Sequence, residues 1–173
     1  MLPAIGLGNE QAKLKVYIAN RPNYSHYPAL TSVVDLPESE IHQIGAACGN
    51  GWRKVFNVYA KFIFALGHDE AKTFASWQQY RDKRLLQSNS DTSLLFSAPD
   101  LTCNAIRIVM GRTYAKALLK QSLSHIELDW LDDEFAVCKT NKLIVCPYFD
   151  YRQLSNIKII RLVELVNALP NHV

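Results

Sequence analysis

The stretch from Asn104 to Val166 constrains the fold more than any other part of the chain. It has, in order, the patterns of a strand, a glycine turn, a helix, a hairpin, a second strand, a proline-containing loop and a helix. Its anchors are AIRIVMGRTYAKALL (105–119) and KLIVCPYFDYRQLSNIKIIRLVELV (142–166). Open α/β sheets bind ligands outside the carboxyl ends of such strands. The sequence therefore predicts where a site lies, although it contains no intact catalytic motif.

Elements of the same kind occupy the remainder of the chain. Apolar residues at three- and four-residue spacing predict a helix over 51–66, and further helices are expected at 37–47 and 70–87. Apolar runs predict strands at 14–19 and 94–96, and alternation predicts a hairpin within 126–137. Strands that alternate with helices indicate one α/β domain over 1–173. We expect a three-layer sandwich with a short, largely parallel central sheet flanked by helices, with 14–19, 105–110 and 142–146 as neighbouring strands.

Composition narrows the class of protein further. The chain has 173 residues, a net charge of +3 and four cysteines, none of them in a C-x-x-C pair. The cysteine spacing disfavours a zinc site or a redox dithiol, and the N-terminal residues lack the pattern of a signal peptide. No apolar run is long enough to span a membrane. We expect a cytoplasmic protein without metal or cofactor, for which nucleic-acid binding is permitted but not indicated by charge.

Three motifs have both a chemical and a structural interpretation, and the structural one is favoured in each case. The acids at 129 and 132–134 suit Mg²⁺ as ligands, but their position at a hairpin tip favours a solvated turn. His68-Asp69-Glu70 is better explained as a helix start, with Asp69 as the cap. Gly6-Leu7-Gly8 precedes a strand, whereas a dinucleotide-binding loop follows one, so we reject its interpretation as a phosphate-binding loop.

Two loops that follow strands carry aromatic and cationic side chains. Aromatic rings can stack on a base and an arginine can hold a phosphate, although tyrosines in such loops also pack on their own domain. Cys146 ends a strand beside these groups and could approach His125 or His26, but a packed thiol is the favoured interpretation. The candidate ligand-binding residues are Asn20, Arg21, Tyr24, Cys146, Tyr148 and Arg152.

The order and spacing of three segments resemble the uracil-DNA glycosylase superfamily. VYIANRP (16–22) resembles the strand and short loop of its first motif. IRIVMGRTYAKALL (106–119) is similar to its mid-domain strand, glycine and helix, and LIVCPYFDYRQLSN (143–156) to the strand, His-Pro-Ser loop and helix of its last motif. The resemblance implies the glycosylase-like fold and, in an active member, hydrolysis of an N-glycosidic bond.

The same resemblance implies that this chemistry is lost or replaced. If Pro22 is the proline of the first motif, Arg21 stands where the family has a water-positioning carboxylate or Asn, and Asn20 lies one residue before. Cys146 stands where the family's His stabilises the uracil anion. A thiol is a weak hydrogen-bond donor, and such stabilisation needs a strong one. We expect a divergent member without base-excision activity.

Two functions remain open from the sequence. The first is binding of a nucleotide or single-stranded nucleic acid at the loops 20–24 and 146–152. The second is a non-catalytic scaffold for a protein partner. A base-sized pocket between the two loops, beside a basic groove, would favour the first, and an exposed apolar patch elsewhere would favour the second. The sequence does not predict an oligomeric state.

Overall fold

The architecture is given by a computed structural model that describes residues 3–170, so both ends of the predicted 1–173 domain lie outside the described residues. The described part forms one eight-stranded sheet and five α-helices. The strands are β1 (Gly6–Gly8), β2 (Leu14–Tyr17), β3 (Val33–Val34), β4 (Thr92–Leu95), β5 (Ile106–Met110), β6 (Asp129–Trp130), β7 (Ala136–Cys138) and β8 (Leu143–Cys146). The helices are α1 (Glu40–Cys48), α2 (Asn50–Leu66), α3 (Trp77–Lys83), α4 (Arg112–Leu119) and α5 (Asn156–Asn167).

The centre of the sheet confirms the predicted strand neighbours. The strand order is β3-β1-β4-β2-β5-β8-β7-β6, and β2, β5 and β8 lie side by side and parallel. β4 joins them as a fourth parallel strand, paired with β2. The predicted hairpin is also present, since β6 and β7 pair antiparallel.

The sheet as a whole is mixed, so the expectation of a short, largely parallel sheet is wrong. β1 is antiparallel to β4, and β7 is antiparallel to both β6 and β8. The segment Gly6-Leu7-Gly8, for which no strand is predicted from the sequence, is strand β1. Glycine is needed there because Gly8 has φ +104°, and a Cβ on it would lie 2.4 Å from the carbonyl oxygen of Thr92. Glycine has low strand propensity, which conceals such a strand in the sequence.

Helices cover both faces of the central strands. On one face Val16, Ile108 and Ile144 pack into a core with α2 and α5. On the other face Val109 and Val145 pack with residues of α4. The four α2 residues expected in the core are fully buried, which confirms that prediction: Val55, Tyr59, Phe62 and Ile63.

The predicted helix over 70–87 is wrong in extent. A short 3₁₀ helix spans Asp69–Ala71, and the α-helix begins only after Ser76, whose hydroxyl accepts a hydrogen bond from the Gln79 amide. His68, rather than Asp69, caps the 3₁₀ helix. The buried Glu70 carboxylate accepts hydrogen bonds from the Tyr80 and Ser90 hydroxyls, at 2.7 and 2.6 Å. These bonds join residues that lie 10 and 20 positions apart, a relation that helical spacing in the sequence does not reveal.

No helix within residues 3–170 is long and apolar enough to cross a bilayer.

Candidate ligand-binding site at the ends of the central strands

Three parallel strands end around one open cavity. Because β2, β5 and β8 are parallel neighbours, their carboxyl ends meet at the same edge of the sheet. A cavity of about 720 Å³ opens there, which we call the strand-end cavity. The connections after β2 and β5 lead to helices on opposite faces, and ligands of open α/β sheets bind at such divergence points. The lining residues that matter below are Ala19, Gly111, Thr113, Tyr114, Pro147 and Tyr148.

The junction between β5 and α4 forms one wall of the strand-end cavity. Gly111 has φ +92° and ψ 140°, a conformation that a residue with a Cβ rarely adopts. Its own amide donates to the carbonyl of Cys146 at 2.8 Å, and its carbonyl accepts from the amide of Ala115 at 3.1 Å. The amides of residues 112–114 precede this first helical bond. They form the positive end of the α4 dipole, which attracts anions.

A hydrogen bond joins the two loops that the sequence singled out. The Tyr148 hydroxyl donates to Oδ1 of Asn20 at 3.1 Å, across 128 positions of sequence. Tyr148 is half-buried, and burial raises the pKa of its phenol above the usual value, so the hydroxyl stays protonated as a donor. This contact brings the loop after β2 and the loop after β8 together at one edge of the sheet.

The mouth of the strand-end cavity carries charges of both signs. Arg112 lies 3.7 Å from the carboxylate of Asp133 and lies over the Trp130 ring, 6.0 Å from its centroid. Glu134 also lines the cavity, and its carboxylate is held by Lys158 at 2.7 Å. The mouth is therefore not a basic groove, and Arg112 is the cation placed to meet an anionic ligand.

Arg21 and Tyr24 have structural contacts outside the cavity lining. The Arg21 guanidinium donates to the carbonyl oxygens of Pro28 and Leu30, both at 3.1 Å, and lies over the Phe96 ring. Tyr24 packs against the main core. These contacts fold the loop after β2 on itself, and neither side chain lines the strand-end cavity.

Cys146 points away from the strand-end cavity into the core beside α2 and α5. It is fully buried, and burial raises the pKa of its thiol well above the usual range. A neutral, enclosed thiol is neither a nucleophile nor an anion stabiliser. Alternation along β8 explains this, because Val145 faces α4 and the next residue must face the opposite side.

Arg152 is exposed and paired with Asp150, at 3.1 Å between Nη2 and Oδ2. Lys54 lies 3.6 Å from the same carboxylate. The Arg152 guanidinium, helped by Lys54, lowers the pKa of Asp150 to about 2. Of the six candidates, Tyr148 alone lines the cavity, and Asn20 is bonded to it; the other four lie outside the lining.

The residues at the start of α4 line the cavity but are not among the candidates predicted from the sequence. The strand–glycine–helix pattern located the junction, but side chains were selected from the loops that resemble family motifs. Thr113 and Tyr114 line the cavity, and the free amides of this turn have no sequence signature of their own. The signal that could have found them is Gly111 itself, placed between a buried strand and an amphipathic helix.

The acidic turn between β6 and β7 is held by the protein itself. Oδ1 of Asp132 accepts hydrogen bonds from the amides of Glu134 and Phe135, both at 2.8 Å. Its other oxygen pairs with Arg161 of α5. Within residues 3–170, no three His, Cys, Asp or Glu side chains are grouped so as to hold a metal ion.

Comparison with known proteins shows a family but gives no function. No curated protein and no solved structure matches the chain significantly. A family model described as a family of unknown function (DUF6942) matches residues 5–167, and the chain therefore belongs to that family.

Proposed function

We propose that the strand-end cavity binds a nucleotide, free or as a unit of a single-stranded nucleic acid, without cleaving its N-glycosidic bond. The observation that carries this proposal is the cavity of about 720 Å³ where β2, β5 and β8 end, which is lined by Tyr148, the partner of Asn20 in the other loop. Ligand pockets of proteins have volumes of about 300–1,000 Å³, and a nucleoside monophosphate fits this range.

The walls of the cavity suit the two ends of a nucleotide. Tyr114, Pro147 and Tyr148 offer flat apolar surface on which a base can stack. The first residues of α4, including Arg112, belong to the same lining, so a phosphate can accept hydrogen bonds from their amides and from the guanidinium. The side-chain amide of Asn20 lies at the margin of the cavity. The hydrogen bond that the Tyr148 hydroxyl donates to Oδ1 of Asn20 fixes the orientation of this amide.

The absence of excision follows from the contacts of Arg21 and Cys146. Arg21 is engaged by two carbonyls and is not available to position a water molecule. Cys146 is a buried, protonated thiol and cannot stabilise a departing base. Loss of one such anion-stabilising donor lowers turnover by about 10²–10³-fold.

The proposal includes descent from a uracil-DNA glycosylase-like ancestor. The three resembling segments include part of β2, all of β5 and α4, and β8 up to the start of α5. Their strands are neighbours in the parallel centre of the sheet. Their loops surround one cavity, as a site shared by three motifs requires. We also place the protein in the cytoplasm, since its four cysteines are unpaired.

Binding is tested with a fluorescent single-stranded oligodeoxythymidine by anisotropy at low salt, with uridine monophosphate as competitor. Ala117 is exposed and lines the strand-end cavity, so Ala117→Phe should obstruct it and weaken binding at least about tenfold. Lys120→Phe, at the residue that caps the C-terminus of the same helix and lies outside the lining, is the matched control and should bind normally. Equal binding by both variants, or none by the wild type, would refute the proposal.

Excision is tested separately, with a single-stranded uracil oligonucleotide and a count of abasic sites. We expect none above background. Robust turnover would show that a group other than Cys146 stabilises the departing base. It would overturn only the non-catalytic part of the proposal.

A second candidate function rests on exposed apolar residues of α5. Ile157 is 80% exposed and Ile160, one turn later, 57% exposed, with Tyr151 near the start of the helix also exposed. Exposed apolar patches favour protein contacts, so a protein-interaction scaffold is the alternative. Sedimentation at increasing concentration, for wild type and Ile157→Asp, tests self-association through this surface.

A further inference from the structure

A second cavity lies on the face of the sheet that carries α4, away from the strand-end cavity. It has a volume of about 310 Å³, and we call it the sheet-face cavity. The connection from β4 to β5 crosses this face and covers it with loop rather than helix. The lining residues used below are Glu10, Lys15, Tyr17, Leu95, Asp100 and Cys103, none of which lines the strand-end cavity.

A row of buried polar side chains runs under the sheet-face cavity. Lys15 of β2 is in register with Ser93 of β4 on one side and with Arg107 of β5 on the other. Lys15 is 7% exposed, Arg107 2% and Ser93 fully buried. Central parallel strands are normally apolar on both faces, because nothing compensates a buried charge there. Two cations in one row therefore need an explanation.

The Arg107 cation is explained by the loop above it. Its guanidinium donates to the carbonyls of Asp100 (2.7 Å), Ala105 (2.9 Å) and Asn141 (2.7 Å), and also to the carbonyl of Cys103. These bonds hold the crossing loop to the sheet. They leave the positive charge itself without a carboxylate partner among the described residues.

The Lys15 cation is not explained in this way. Its ammonium donates one hydrogen bond, to the carbonyl of Glu10 at 2.9 Å, and an ammonium has three donors. It forms no ion pair with a described carboxylate. Asp100 lines the same cavity, and its carboxylate accepts from the amide and hydroxyl of Thr102, at 2.9 and 2.6 Å. These bonds and, as smaller causes, the charges of Arg107 and Lys15 lower the pKa of Asp100, but its carboxylate lies beyond ion-pair distance of the Lys15 ammonium. Two donors of a buried ammonium remain beside an open space.

Lys15 has two polar neighbours on this face, of which Tyr17 lines the sheet-face cavity and Ser93 does not. Tyr17 lies two residues further on the same face, and burial raises the pKa of its phenol, so it is a neutral donor. The Asp100 backbone amide interacts with the phenol oxygen, which leaves the hydroxyl proton of Tyr17 available to a ligand. The Ser93 hydroxyl, beside Lys15 in register, is buried and has no hydrogen-bond partner within the described structure.

We propose that the sheet-face cavity binds a small organic monocarboxylate, with its carboxylate on the Lys15 ammonium and the Tyr17 hydroxyl. A single ammonium compensates one negative charge, whereas a phosphate dianion needs more donors. Asp100 and Glu10 at the lining disfavour a second negative charge. Leu95 offers apolar surface for the rest of the ligand. This site is independent of nucleotide binding at the strand ends.

Amide chemical shifts of the ¹⁵N-labelled protein test the proposal, with benzoate as the probe. Benzamide is the neutral isostere, and sodium chloride at equal ionic strength controls for salt. We expect saturable shifts with benzoate at residues 10–17 and 95–103, and none with benzamide. Absence of saturable shifts in the wild type, or equal shifts with benzamide, would overturn the site.

Two variants separate the ligand contact from a structural role of the lysine. Lys15→Met keeps most of the apolar stem and removes the charge, and it should weaken benzoate binding at least about tenfold. Tyr17→Phe removes one donor and should weaken it severalfold while leaving the row of charges intact. Unchanged affinity in a folded Lys15→Met would overturn the assignment. If that variant does not fold, unchanged affinity in Tyr17→Phe would do so.

Discussion

The loop after β2 and the junction after β5 leave the same edge of the sheet, but they use their polar groups in opposite ways. In the first, the Arg21 guanidinium is occupied by the carbonyls of Pro28 and Leu30. In the second, Gly111 turns the chain into α4, and the first residues of that helix line the strand-end cavity. A charged side chain that is conspicuous in the sequence is structural here, and backbone groups without a sequence signature are the better candidates for binding.

The largest effect is expected at the β5–α4 junction. Gly111→Ala forces a Cβ into φ +92°, which should lower the free energy of unfolding by about 2 kcal/mol. Because the turn also aims the α4 amides, oligonucleotide affinity should fall at least about tenfold. Urea unfolding and anisotropy measure the two effects. Gly51→Ala is the control: Gly51 lies in α2 with open space around its Cα, so this change should raise the free energy of unfolding by about 0.5–1 kcal/mol.

In the loop after β2, a substitution should lower stability but leave oligonucleotide affinity nearly unchanged. Arg21→Ala removes two charged hydrogen bonds and the contact with Phe96, so the free energy of unfolding should fall by about 2 kcal/mol. The oligonucleotide affinity of the folded variant should stay within about twofold, since Arg21 does not line the cavity. Arg53→Ala, at an exposed helix position, should change stability by less than about 0.5 kcal/mol. A large loss of binding in Arg21→Ala would reverse the comparison.

The charged side chains of the loop after β8 make structural contacts, as Arg21 does in the loop after β2. The pH dependence of stability tests this for Asp150. The folded-state pKa of Asp150 is about 2, below the usual value near 4. Its contribution to stability is therefore complete above the unfolded pKa and is lost as the pH falls from about 5 towards 2. Acid titration of unfolding should show a steeper loss for the wild type than for Asp150→Asn. Parallel curves would mean that the pair with Arg152 does not stabilise the fold.

Tyr148 is the point where a structural contact and the cavity coincide. Tyr148→Phe removes the hydrogen bond to Asn20 and should lower the free energy of unfolding by about 1 kcal/mol. The ring remains for stacking, so oligonucleotide affinity should fall only by about two- to threefold. Tyr148→Ala should weaken binding considerably more. Equal affinities of the two variants would exclude stacking on this ring.

The smallest effect is expected at Arg152. The sequence favours this residue as a phosphate contact, but its guanidinium is paired with Asp150 outside the cavity lining. Arg152→Ala should change oligonucleotide affinity by less than about twofold and leave its salt dependence intact. Arg112→Ala, at the cavity itself, should reduce the salt slope by about one unit of charge. A reduced salt slope in Arg152→Ala would indicate that Arg152 contacts a phosphate and that the loop after β8 takes part in binding.

The success of the sequence analysis varied with the range of the interactions involved. The central strands and α2 follow from local periodicity, and both were predicted closely. β1 and the interruption of the helix at 70–87 were missed, because they depend on close approach to β4 and on the hydrogen bonds of Glu70. A cavity lies at the junction of loops where the sequence predicts a site, but of the six proposed side chains only that of Tyr148 lines it. The contacts of Arg21 could not be predicted, because they depend on where the fold places the carbonyls of Pro28 and Leu30.

The proposal of a nucleotide site at the strand ends is tested most directly by mapping uridine monophosphate onto the ¹⁵N-labelled protein. Saturable amide shifts should concentrate at residues 111–114 and 147–148, with little change at 21–30. Saturable shifts confined to residues 21–30 or to the exposed side of α5, or no saturable shifts at millimolar ligand, would contradict the account.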